Sequence, residues 1–382
     1  MRALVLVAMV FAALALGGAR GAHAYPQWQF SSGTSRCDQC HFAPAGGGLI
    51  NSYGRDAAGE DLATFGGNGA FLHGATTLPA WLALGGDLRG ALVSEDDGDI
   101  DGTQTAVFPM QADAEARLSF GLVSVYGVAG LRGQERDSAE PIPLQNYQPV
   151  DTSRFVSREH WIMLRASPLG GYVRAGRFFA PFGLRMAEHI LYVRRDLGLG
   201  TLEESYNLSS GYVGETWEAH ATAFAPDFVR HMGSREGGAS VYVERRFADV
   251  AAAALQARFA IGPGMTRTIF GGVGKYWVEP LRTLFLAEAD FVRRDIDTVP
   301  SSYQLVAMGG FSVLPAKGVL LTVLQEREQV DLAVRGTTYD ATTGLLSWFP
   351  YAHVEIQAMG RVQVPSGSPT DKTFFLQLHY FL

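Results

Sequence analysis

From about residue 82 to its end the chain is a succession of segments, each of roughly ten residues, in which apolar and polar side chains alternate between turn-forming stretches. Gln111, Asp113, Glu115, Arg117 and Ser119 interleave with Ala112, Ala114, Ala116, Leu118 and Phe120. Further on, His353, Glu355, Gln357, Met359, Arg361 and Gln363 interleave with Val354, Ile356, Ala358, Val362 and Val364. The last segment puts Phe374, Leu376, Leu378, Tyr380 and Leu382 on one face, with Gln377 and His379 on the other. Successive strand side chains point to opposite faces, so each segment predicts a strand with one apolar and one polar or charged side.

A soluble sandwich also alternates, but two features favour a transmembrane antiparallel β-barrel. Several polar faces carry charge, as in Asp87 with Arg89, Glu244 with Arg246, Gln256 with Arg258 and Glu288 with Asp290, which suits a hydrated lumen. Connections also alternate in length. Short turns at 168–171, 247–249, 279–280, 315–318 and 349–351 face longer polar loops at 133–156, 183–204, 229–237, 330–338 and 365–371, the arrangement of short periplasmic turns opposite long external loops. The count from Trp81 to Leu382 is about 16 strands, in the porin range, where a barrel is wide enough to leave an aqueous channel. The chain ends within an aromatic-rich strand, as outer-membrane barrels do. The expected fold is therefore all-β.

The first residues set the compartment. Met1-Arg2 precedes an apolar run too short to span a bilayer, and Ala22-His23-Ala24 is a small-residue cleavage pattern, so residues 1–24 read as an export signal peptide. No later stretch is apolar for long enough to predict a spanning helix. The net charge of -7, with Lys275, Lys317 and Lys372 the sole lysines, leaves no basic stripe to neutralise phosphates, which argues against a nucleic-acid partner. Outer-membrane lipid is the expected surroundings.

The chemistry lies ahead of the barrel. Both cysteines fall in Cys37-Asp38-Gln39-Cys40-His41, the C-x-x-C-H pattern for one covalent c-type haem: two thiols bond the vinyl groups and the adjacent imidazole becomes an axial ligand of the iron. A thioredoxin-like pair would need a βαβ context that the Gly/Ser-rich flanks do not supply, and a zinc site would need two further ligands. For the second axial position His73 is the first candidate, being the other histidine between Tyr25 and Ala80. Met110, His353 and Met359 are the remaining candidates, along with an open, five-coordinate iron. Residues 25–80, rich in turn sequences such as Gly46-Gly47-Gly48, are too few for a good core of their own, so they read as a haem-bearing plug seated in the barrel of residues 81–382, with a tethered soluble cytochrome as the alternative.

One loop is strongly acidic. Glu95, Asp96, Asp97, Asp99 and Asp101 would draw cations to a pore mouth. Asp97-Gly98-Asp99-Ile100-Asp101-Gly102 matches the first half of a calcium loop, although Phe108 stands where the bidentate glutamate belongs. Asp97, Asp99 and Asp101 are thus a candidate site for Ca²⁺ or Fe²⁺, against a merely solvated loop.

An exported chain with one early C-x-x-C-H, Pro44 soon after it, Gly54-Arg55 downstream and a porin-sized barrel to the C-terminus resembles the fused outer-membrane monohaem cytochrome-porins associated with iron(II) oxidation and extracellular electron transfer. The stretch Gly176-Arg177-Phe178-Phe179-Ala180-Pro181-Phe182-Gly183 is similar to a segment of phosphate-type porins. The resemblance implies electron transfer between an extracellular redox species, Fe(II) being one, and a periplasmic carrier such as a soluble cytochrome. A reading from a different class is a diffusion porin whose haem segment is a redox-sensing or stabilising plug. A hydrolase is remote, since the chain has no nucleophile elbow, H-E-x-x-H or phosphate loop.

Overall fold

A computed structural model describes residues 26–31, 33–98, 102–132, 155–200, 203–227 and 236–382. The expected signal peptide, Asp99, Asp101 and most of the 133–156 loop lie outside them. Strands run in chain order from β1 (Leu82–Asp96), β2 (Gln104–Phe120) and β3 (Val123–Arg132) to β16 (Val354–Pro365) and β17 (Asp371–Phe381), all pairing antiparallel. The wall closes where β1 pairs with β17, Asp87 opposite Phe381 through Asp96 opposite Lys372. The short β4 (Phe155–Val156) and β5 (His160–Arg165) both pair with β3 and make one interrupted stave, so sixteen staves form a closed barrel with no free edge.

Alternation sorts the side chains as the sequence predicts. Leu255, Phe270, Phe285, Phe291 and Leu378 stand exposed on the outer wall, whereas Glu244, Arg246, Gln256, Arg258, Glu288 and Asp290 are buried on the inner one. Such an outer surface is suited to hydrocarbon rather than water. Connections at one end are all short, including Gly121-Leu122 and 349–353; the other end carries the longer ones but also the two-residue turns 263–264 and 297–298, so the expected alternation in length holds only in part.

Among the described residues the lumen is packed with protein, and the expected plug is not its sole occupant. Residues 183–200 of the 183–204 connection, expected as an external polar loop, fold inward between β6 (Gly170–Phe178) and β7 (Ser205–Val213). Phe182, Leu184, Met186, Leu191, Tyr192 and Leu197 are fully buried, and each such apolar side chain removed from water contributes about 1.5–3 kcal/mol. On the outside they would form an exposed apolar patch; inside they meet Tyr242, Ile269, Leu284 and Val306. Lumen acids satisfy the loop's backbone: Leu184 N–H donates to Glu288 at 2.8 Å and Tyr192 N–H to Glu326 at 2.6 Å.

The segment before the barrel occupies the short-turn half of the same space. Its helix α1 (Ser52–Ala57) and its turns are tied to the wall at many points. Asp38 pairs with Arg165 at 2.8 Å and Gln29 accepts from Lys275 at 2.8 Å. Thr64 N–H donates to the Phe349 carbonyl at 2.8 Å, and Trp28 meets Phe349 edge-on at 5.9 Å.

Candidate functional site

The C-x-x-C-H residues sit on a single helical turn, with His41 N–H donating to the Cys37 carbonyl at 3.0 Å. Asn51 locks this turn to α1. Its side chain accepts from Gly54 N–H at 3.0 Å as the helix N-cap and donates to the Gln39 carbonyl at 2.9 Å, while its own N–H reaches the Cys40 carbonyl at 2.8 Å. Gly54 permits the close approach: a Cβ there would stand 2.6 Å from the Cys40 carbonyl oxygen. Replacing Asn51 by alanine is expected to weaken the plug by about 1–2 kcal/mol through the lost cap, and Gly54→Val to weaken it more through a backbone clash. Limited proteolysis of the N-terminal segment in detergent would show both as faster cleavage, Gly54→Val ahead of Asn51→Ala.

His41 is oriented from behind. Its Nδ1 lies 3.2 Å from the Gly48 carbonyl, which fixes the Nδ1–H tautomer and puts the lone pair on Nε2, as in ligating histidines held by a second bond. Gly46, at φ +81°, lies over the turn, where a Cβ would come within 3.1 Å of the Cys37 Cβ. The glycine run therefore folds over the motif. Burial raises the Cys37 thiol and pushes the Cys40 thiol up to about 12.

Cys37 and His41 line a cavity with Glu159, Arg174, Arg185 and Lys275. The plug, Glu159 just ahead of β5, Arg174 on β6, Lys275 on β11 (Met265–Val278) and the in-folded loop that brings Arg185 and Arg194 build it together. Its cationic character is pronounced. Arg185 donates to the Ala45 carbonyl and lies 5.1 Å over Tyr242; Lys275 Nζ bonds both Gln29 and Glu244, the latter at 2.7 Å. Enclosing about 150 Å³, the cavity is smaller than the ~300–1,000 Å³ of typical cofactor sites, so a macrocycle there would have to displace the side chains around it. In donor chemistry the residues suit a c-type haem: two thiols, a pre-oriented imidazole and cations for its carboxylates.

His73 lies elsewhere. It is not among the residues lining that cavity, and its Nε2 is 3.1 Å from the Tyr380 hydroxyl with its ring 4.6 Å from that of His353. The structure thus brings His73 together with His353 and the last strand, and neither with His41. Met359 is buried on the lumen side of β16 and Met110 belongs to β2; neither lines the cavity. Asp97 is exposed, and among the described residues no group of three His, Cys, Asp or Glu side chains is placed to hold a metal ion. Nothing in the local sequence around Arg174 or Arg185 marks either as a site residue. The run Leu184, Met186, Leu191, Tyr192 and Leu197, too apolar for an external loop, was the signal that this segment belongs inside.

No model of a known protein family matches the chain, and no curated protein does either. Solved structures do match. OprB of Pseudomonas putida aligns at TM-score 0.59 and 11% identity over 79% of this chain and 94% of that one. An anion-selective porin from Comamonas acidovorans aligns at TM-score 0.56 and 9% identity over 79% and 99%. OmpT, an outer-membrane protein of Vibrio cholerae, aligns at TM-score 0.56 and 12% identity over 79% and 97%. At these identities the likeness shows the fold: the chain forms a closed β-barrel of the porin type.

Proposed function

We propose that this chain is an outer-membrane barrel carrying one covalent c-type haem on Cys37, Cys40 and His41 inside a closed lumen, and that it passes electrons rather than solutes. A haem so placed supplies one-electron transfer without bond making. The observation that carries the reading is the position of the C-x-x-C-H turn, buried within a lumen that the plug and the in-folded loop fill. The barrel wall keeps the group from lipid, His41 ligates through Nε2 with Nδ1 held by Gly48, and the surrounding cations set the local field. A soluble periplasmic carrier is the partner proposed at the short-turn end, and an extracellular donor such as Fe(II) the one at the other.

The likeness of the wall to solute porins favours a second reading, a diffusion porin whose haem segment is a redox-sensing or stabilising plug. An anaerobic visible spectrum of the oxidised, detergent-solubilised protein before and after Fe(II) tests the first. Prompt appearance of reduced haem bands is expected. Reduction by dithionite alone would remove Fe(II) as donor, and an unreactive haem in a freely conducting barrel would leave the second reading.

A further inference from the structure

Arg174 is a buried lumen charge with no ion-pair partner among the described residues. It lies on β6, 2% exposed, with its guanidinium 3.6 Å over the Phe178 ring and 5.7 Å from that of Trp161. Its Nε is buried with no hydrogen-bond partner, and among the described residues no carboxylate forms an ion pair with it, Glu159 on the same cavity wall included. The other cations of the cavity are engaged: Arg185 on Ala45 and Glu218, Arg194 on Met186 and Leu199, Lys275 on Gln29 and Glu244. A desolvated guanidinium without an acceptor is costly, and proteins retain one where an anion completes it. The fork of donors on a planar guanidinium matches a carboxylate in two-point geometry.

We propose that Arg174 binds a propionate carboxylate of the haem carried by Cys37 and Cys40, fixing how the group is seated in the lumen. This rests on the haem reading above. The aromatic faces of Phe178 and Trp161 hold the guanidinium in place, and Cys37 opens onto the same cavity, so attachment and anchor face one space. The chemistry at Arg174 is charge neutralisation, with no bond made or broken.

The test uses the full-length protein as wild type, Arg174→Gln and Arg174→Lys, assayed for haem content by pyridine haemochrome and for midpoint potential by spectroelectrochemistry. Covalent haem content should be unchanged in both variants, since the thioethers do not involve Arg174. Loss of the positive charge in Arg174→Gln should disfavour the reduced state about tenfold, or about 59 mV for one electron. Arg174→Lys should recover most of that loss while shifting the propionate bending band in the resonance Raman spectrum, because the charge stays and the two-point geometry goes. A glutamine variant with wild-type potential, or a lysine variant with an unmoved propionate band, overturns the proposal. Should the glutamine variant not assemble, the Raman result of the lysine variant decides. A wild-type protein devoid of haem would overturn the haem reading and this proposal with it, a result distinct from a haem indifferent to residue 174.

Discussion

Cys37→Ala with Cys40→Ala is expected to yield a barrel that folds and carries no haem. The purified wild type should show an intense Soret band and a stoichiometric pyridine haemochrome, and the double variant neither. Both thiols belong to a turn whose backbone is held by Asn51, α1 and Arg165 through Asp38, so removing two sulfur atoms leaves those bonds standing. The barrel, closed through β1 and β17, does not depend on them at all. His41→Ala, in contrast, is expected to leave the thioethers and change the spectrum to that of an iron without its proximal ligand, since Nε2 is the donor that the Gly48 bond presents. A wild type with no Soret band would end the haem assignment, and an unchanged spectrum in His41→Ala would remove His41 as ligand.

Planar-bilayer conductance carries the second large effect. Intact protein is expected to conduct poorly for a barrel of sixteen staves, because two separate pieces of chain occupy its interior. Deleting residues 26–78 removes the piece at the short-turn end; the in-folded loop, bonded to the wall by Glu288, Gln256 and Glu326, still narrows the rest. Adding Glu288→Ala, Gln256→Ala and Glu326→Ala strips the backbone of that loop of its acceptors, each loss leaving buried N–H groups that cost about 1–3 kcal/mol. Conductance on the order of tenfold above wild type is expected when both are combined, as an aqueous channel of porin width opens. A wild type that already conducts at porin level would sink the closed-lumen reading and favour solute passage.

The two results separate the readings, since a haem-loaded, poorly conducting protein is an electron conduit and a conducting one is a porin with an added group.

The barrel was legible because its determinant is local. Alternation with period two places Glu288 and Asp290 inward and Phe285 and Phe291 outward whatever lies on the other side of the lumen. The C-x-x-C-H turn was legible for a similar reason, since thiols and imidazole are within five residues of each other. What fills the interior was not. Glu288 meets Leu184 across 104 positions, Glu326 meets Tyr192 across 134 and Lys275 meets Gln29 across 246, and no periodicity reports which distant segments share a volume. That His73 faces His353 and Tyr380, and that Arg174 shares a cavity with Cys37 and leaves its Nε without a hydrogen bond, likewise followed only from closing the wall. Local pattern determines which way a strand side chain points; what it meets there depends on packing and charge compensation among residues remote in sequence, which the tertiary structure alone decides.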